Sequence, residues 1–267
     1  MTAGHETIDE QRFGPVTVTS GEGVATVLVD HPPVNAMGRD VLSGLEQAIA
    51  LLHGRTEVRA VVLAAAGTKA FFAGADIAEF QALQAQEGAM SRRSAWARSV
   101  LDGFPALRQP VIAAVQAHAV GGGLEIALAC DLIVAEPTVR FGLPEVKLGL
   151  IPGGGGTQRL PRRVGVGVAR EMLFLGSVID AERALDVGLV DRLAAPGAVL
   201  GEAQELAARI AALPRVAVQC IKRAVDDDLA AGLERERALF LEAFGSEDFS
   251  EGYAAFLEKR EPRFTHR

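Results

Sequence analysis

The sequence predicts an α/β core followed by an all-helical tail, and three observations predict it. Short β-branched runs alternate with stretches of helical period as far as Leu193. One of these runs, Val58–Leu63, is apolar without a break, as strands covered on both faces are. Beyond Pro196 no strand pattern recurs. The 267 residues are 49% hydrophobic and 23% charged, which supplies material for a sizeable core and excludes disorder as the main state.

Val16–Thr19 and Val24–Val29 are β-branched runs joined by Ser20-Gly21-Glu22-Gly23, a hairpin signal. His31-Pro32-Pro33-Val34-Asn35 breaks the pattern, because two prolines cannot feed a ladder. From Asp40 to His53, Val41, Leu42, Leu45, Ile49 and Leu52 recur at helical spacing, and Val58–Leu63 resumes as a strand. The next round is a loop over Ala64–Ile77, a helix over Gly88–Leu101, strand Val111–Val115, a Gly-rich turn, helix Gly122–Ala129 and strand Leu132–Ala135. A third runs through Val139–Phe141 and Leu148–Ile151 into helices around Thr157–Gly176 and Ala181–Gly188, closing on strand Leu189–Leu193. The tail reads as helices over Val199–Ala212, Ala217–Leu229, Leu233–Phe244 and Phe249–Glu258. A boundary at Pro196 therefore divides a core, residues 1–196, from a helical region, residues 197–267. Apolar tail positions such as Leu239, Phe240 and Leu241 point to packing on another surface, such as a second subunit.

Composition removes several function classes. Lys+Arg 27 against Asp+Glu 34 leaves −7, so no broad field attracts a nucleic-acid backbone, although a local basic pocket for one small polyanion is compatible. The most apolar stretch, Val111 to Ala135, is interrupted by Gln116, His118, Glu125 and Asp131 and is not a membrane span. Cys130 and Cys220 belong to no CxxC pair, which fits a reducing compartment. The first residues carry Glu6, Asp9 and Glu10 with no apolar run, so no export signal and a cytoplasmic location are expected. The five histidines form no HExxH-like pair, so no metal is expected. Neither glycine cluster precedes Lys-Ser/Thr, Gly121–Ile126 lacks the third glycine of GxGxxG, and no GxSxG elbow exists.

Of the 29 glycines, more than an average chain of this length carries, the excess clusters at Gly121–Gly123 and Gly153–Gly156. Ala73-Gly74-Ala75-Asp76 follows an apolar strand, and Val120–Glu125 follows another and opens a helix. Glycine lets the chain approach a ligand closely, and the first N–H groups of a helix have no internal partner. Two such turns side by side aim two donors at one point and stabilise an oxyanion; the alternative is that both are tight packing turns. Glu125, at the third helical position, is either a cap reaching back to its own helix or a partly buried carboxylate of altered proton affinity. Glu145, after Pro144, is either a solvated loop acid or part of a site. Asp76 and Asp131 read as a cap and a turn residue.

Taken together these stretches resemble the enoyl-CoA hydratase/isomerase (crotonase) superfamily over nearly the whole chain. The resemblance rests on Lys69-Ala-Phe-Phe-Ala-Gly-Ala-Asp-Ile77, Pro110–Val115, Gly121-Gly-Gly-Leu-Glu125 with Cys130-Asp131, Phe141-Gly-Leu-Pro-Glu145, Leu148–Pro161 and Phe256–Phe264. Six such pieces in order make it specific. Two departures stand out: Gln116-Ala117-His118 where relatives often carry Asn-Gly, and the heavy Phe71-Phe72 pair.

The resemblance implies a crotonase-like spiral of ββα turns with an α-helical C-terminal trimerisation region, as a homotrimer or a hexamer built as a dimer of trimers. It implies an acyl-CoA thioester as substrate and no separate cofactor, coenzyme A being part of that substrate. By motif match the oxyanion-hole donors are the N–H groups of Ala75 and Gly122, and the catalytic pair is Glu125 and Glu145. Ala73, Gly74, Asp76, Ile77 and Gly121 then bind substrate, and Lys69, Lys259 and Arg260 are partners for the coenzyme A phosphates or ordinary surface charge. Two acids favour hydration of a 2-enoyl thioester. Related readings are an isomerase or another acyl-CoA-processing enzyme, and from a different class a non-catalytic acyl-CoA-binding subunit.

Overall fold

The computed structural model describes residues 9–74, 88–225 and 247–265. Three antiparallel strands open the fold: β1 (Asp9–Phe13), β2 (Val16–Gly21) and β3 (Val24–Val29). Helix α1 (Arg39–Gly54) crosses back, and β4 (Ala60–Ala65) joins β3 in parallel, Val24 opposite Ala60. Helix α2 (Ala89–Ala106) leads to β5 (Val111–Val115), then to short β6 (Ala119–Val120) and helix α3 (Gly122–Leu128). Next come β7 (Leu132–Ala135), β8 (Arg140–Gly142), a 3-10 turn (Pro144–Leu148) and α4 (Gly156–Leu175). The core closes with β9 (Val178–Asp180), α5 (Ala181–Asp186) and β10 (Arg192–Leu193). Helices α6 (Val199–Ala211), α7 (Arg215–Ala224) and α8 (Glu247–Glu258) follow.

Among the described residues the main sheet has the order β1-β2-β3-β4-β5-β7-β10, parallel from β3 onward, and a second sheet has the order β6-β8-β9. The spiral is visible in how the two sheets alternate. Each long strand of the main sheet (β4, β5, β7) is followed by a short extended piece in the second layer (Phe72, β6, β8), and then by helical chain. Phe72 bridges Ala119, and β6 pairs in parallel with β8, so the three short pieces lie side by side. The turns that follow them are stacked as well.

Period-two burial explains why the long strands are apolar throughout. Val61, Leu63, Val111, Ala113 and Ile133 face the cluster built around Leu42, Leu45 and Leu52 of α1. The intervening Ala60, Val62, Ala64, Ile112, Ala114 and Val134 pack on Val199, Ala203, Leu206 and Ala207 of α6. The first helix after Pro196 is therefore a layer of the sheet's own core. Lys222 of α7 is buried too, its Nζ donating to Asp131 Oδ2 at 2.8 Å and to the Gln109 carbonyl at 2.9 Å.

Several expectations are corrected. Strand β1 escapes notice in the sequence because it is an edge strand, and none of Asp9–Phe13 is buried. Leu148–Ile151 carries no strand: Gly149 is left-handed (φ 71°), and Leu148, Leu150 and Ile151 are exposed. Only Arg192–Leu193 of the expected strand Leu189–Leu193 is extended. The long helix α4 is broken at Gly165 (φ 79°, ψ 157°). The expected helix Leu233–Phe244, the end of Ala217–Leu229, and Leu239–Leu241 lie outside the described residues.

Candidate active site

The two glycine turns meet. Gly74 has φ +81°, and a side chain there would point at the Gly122 amide, with Cβ only 3.1 Å from Gly122 N. Reciprocally, a side chain on Gly122 would stand 2.9 Å from Gly74 Cα and collide with Met37 Cε. Gly123 allows an equally close approach, since any Cβ would overlap the Phe72 carbonyl. Gly122 is the first residue of α3, and among the described residues its N–H has no acceptor. Gly121 lies beside it at φ 60°, its own N–H donating to the Gly142 carbonyl at 2.9 Å. Ala73 N donates to Val34 O at 3.0 Å, and Met37 N to Gly74 O at 2.8 Å, which fixes the Gly74 turn against the loop after β3. Ala75, Asp76 and Ile77 lie outside the described residues.

Glu125 is 5% exposed on α3. Its carboxylate does not return to its own helix. Instead Oε1 accepts from the amides of Gly154 at 2.7 Å and Gly156 at 2.9 Å, at the amino end of α4. Of the two roles the sequence allowed, the buried carboxylate is the one adopted, and it caps a different helix. Burial pushes its proton affinity above the usual carboxylate range, while the two amides and the charges of Arg159 and Arg98 oppose that rise.

Glu145 sits in the 3-10 turn, half-buried, and its Oε1 is 3.3 Å from the position a Cβ on Gly121 would take. Among the described residues Oε2 is buried with no hydrogen-bond partner. Burial raises the Glu145 pKa, its own backbone N–H lowers it, and the negative charge of Glu125 raises it further. The two acids thus lie within electrostatic reach of each other, on elements next to the Gly74–Gly122 contact, in unequal surroundings. One carboxylate is held by two amides in the field of two arginines, while the other has, among the described residues, an oxygen with no donor.

Not every expected residue joins this cluster. Lys69 and Lys259 are exposed, and among the described residues no contact links them to it. Arg260 is taken up by Glu251 at 2.6 Å and by Glu258. Asp131 is structural, accepting from Val111 N as well as Lys222. Phe71 and Phe72 are fully buried, edge to face with centroids 4.7 Å apart, so their bulk belongs to the core. Sequence reasoning missed the amides of Gly154 and Gly156, although a run of glycines opening a helix was their signal. Met37 had no sequence signal at all.

Comparison with known proteins follows the same lines. The sequence model of the enoyl-CoA hydratase/isomerase family matches residues 19–267. The chain is 38% identical to a crotonyl-CoA hydratase of Syntrophomonas wolfei subsp. wolfei, over 91% of this chain and 95% of that one. It is 40% identical to a short-chain-enoyl-CoA hydratase of Clostridium acetobutylicum, over 89% and 92%. The crystal structure of an enoyl-CoA hydratase from Bacillus anthracis superposes with a TM-score of 0.89 at 34% identity, covering 95% of this chain and all of that one.

Proposed function

The chain belongs to the enoyl-CoA hydratase/isomerase family, and from that membership and its two neighbouring carboxylates we propose that it is a hydro-lyase converting 2-enoyl-CoA thioesters to 3-hydroxyacyl-CoA. The observation that carries this reading is the pairing of Glu125 with Glu145 beside the Gly74–Gly122 contact. The thioester oxygen takes the Gly122 N–H, with the Ala75 N–H as second donor, and negative charge gathers there as water attacks C3. Losing one such donor typically costs about 10²–10³ in rate.

The unequal surroundings support a division of labour. Glu125, held by two amides and facing two arginines, is the better carboxylate and takes the proton of the attacking water. Glu145, desolvated and beside a negative neighbour, is the better acid and delivers its proton to C2. The thioester gains one water, and a proton returns from Glu125 to Glu145 before the next cycle. Ala73, Gly74, Gly121, Asp76 and Ile77 are assigned to acyl-CoA binding, and Lys69 and Lys259 to the coenzyme A phosphates. Such acid–base chemistry calls for no separate cofactor.

The assembly we propose is a homotrimer or a dimer of trimers, with the region 197–267 contributing to it. Cys130 and Cys220, buried and not joined in a disulfide, fit a reducing, cytoplasmic setting.

Purified protein should hydrate crotonyl-CoA, followed as loss of the conjugated thioester's absorbance. Glu145→Gln keeps the shape and removes the proton, so turnover should fall by about 10²–10⁴ while coenzyme A affinity stays near the parent value. Absence of turnover on short, medium and long enoyl-CoA substrates would overturn hydration. Double-bond migration in its place would favour isomerase activity.

A further inference from the structure

Four consecutive glycines, Gly153–Gly156, have no side chains with which to fix their own conformation, yet two of their amides hold Glu125. A restraint comes from outside the turn. Arg159, one turn into α4, donates from Nη1 to the Gly154 carbonyl at 2.8 Å, and its Nη2 pairs with Asp102 of α2. Asp102 is itself held by Arg98 Nε, with both oxygens at 2.9 Å. Gly155 has φ +108°, and any side chain there would run into the Arg159 guanidinium, so the turn lies directly on that plane. The Arg159 side chain is 18% exposed and that of Asp102 45%.

We propose that Arg159, oriented by Asp102, is a positioning residue for Glu125: it fixes the Gly154–Gly156 turn so that two amides occupy Oε1 and leave the other carboxylate oxygen to the reacting water. The proposal rests on the reading of Glu125 as the base. The guanidinium's planar fork suits the task, since one arm takes a carbonyl and the other a carboxylate. The charged groups facing Glu125 are Arg98 with Asp102 from α2, Arg159 from α4 and Glu145 from the 3-10 turn. Arg159 lowers the proton affinity of Glu125, so its removal raises it.

The test uses full-length Arg159→Met, Arg159→Lys, Asp102→Asn and Glu125→Gln. Hydration of crotonyl-CoA is measured across pH, and the Glu125 carboxyl is titrated by carbon-13 NMR, its signal identified by its loss in Glu125→Gln. Arg159→Met should lose about 10–100-fold in kcat with KM nearly unchanged, the loss expected when a misplaced group costs geometry. Its Glu125 carboxyl should titrate at higher pH than the parent's, and the acid limb of kcat/KM should move the same way. Arg159→Lys should restore the titration but only part of kcat, because an ammonium keeps the charge and loses the fork. Asp102→Asn, isosteric and at a half-exposed position, should lower kcat without raising KM.

An unmoved Glu125 titration in Arg159→Met, or a parent-like kcat in Asp102→Asn while Glu125→Gln is inactive, overturns the proposal. Parent-like turnover in Glu125→Gln overturns the reading of Glu125 as base instead. If Arg159→Met fails to fold, kcat decides: parent-like kcat in both Arg159→Lys and Asp102→Asn overturns the proposal.

Discussion

At Glu145 a single oxygen ties stability to the proposed acid role. Among the described residues Oε2 is buried without a donor, so the ionised form loses hydration that the residue's own backbone N–H only partly replaces. Because burial raises this pKa, the folded state holds the proton more tightly than the unfolded chain does. The stability gained in this way is present below the ordinary carboxylate pKa and is lost as pH rises through the raised one. Glu145→Gln, which cannot ionise, should therefore match the parent near pH 4, below the ordinary carboxylate pKa, and exceed it at pH 8. A gain of about 1 kcal/mol would raise Tm by about 2–4 °C. Thermal unfolding at both pH values checks this, and an equal gap at each would refute it. The sequence could place Glu125 and Glu145 in motifs, and the glycines named the turns. It could not show that Glu125 turns away from its own helix, because its partners lie 29 and 31 residues further on and are backbone amides, which no side-chain pattern announces.

The loop between β3 and α1 does for the turn at Gly74, the proposed oxyanion turn, what α4 does for Glu125. Asn35, left-handed at φ 53° and 3% exposed, donates to the carbonyls of Ala66, Ala70 and Phe71 at 2.8, 3.3 and 3.2 Å and accepts from His31 N at 2.8 Å. It thereby pins the segment leading from β4 to Gly74, while Met37 supports Gly122 from below. Asn35→Ala abandons buried carbonyls and adds left-handed strain, a cost of about 2–4 kcal/mol. Asn35→Asp should be worse, because it turns a carboxylate toward three carbonyl oxygens. Chemical denaturation ranks the variants; a milder Asp substitution would show that Asn35 does not act through its donor. At this scale the sequence was most legible where the period was clean. α1 and the doubly buried β4 and β5 emerged directly from apolar spacing. β1 and β9 did not, since their residues stay half-exposed at sheet edges and need no apolar alternation.

The folded chain leaves an apolar strip uncovered along the outer side of the turn that carries Glu145. Leu148 is 72% exposed and Ile151 77%, and Phe174 and Leu175 at the end of α4 are 71% and 63% exposed. Gly176, next in the chain after the second group, packs on the turn that leads to the first, its vacant Cβ position lying 3.1 Å from Val146 Cγ1 and 3.2 Å from Pro144 Cα. Side chains of this size in one patch favour burial against another copy of the chain, at about 25 cal/mol for each Å² covered. In the proposed trimer such a contact would also brace the turn on which the acid sits, linking assembly to turnover. Leu148→Asp combined with Phe174→Asp places two desolvated charges in that contact. Sedimentation should then shift to smaller species, and crotonyl-CoA hydration should fall with it, while the core, which uses neither side chain, keeps its secondary structure by circular dichroism. Unchanged sedimentation would remove this strip from the interface, and unchanged hydration in a dissociated variant would separate the Glu145 turn from assembly.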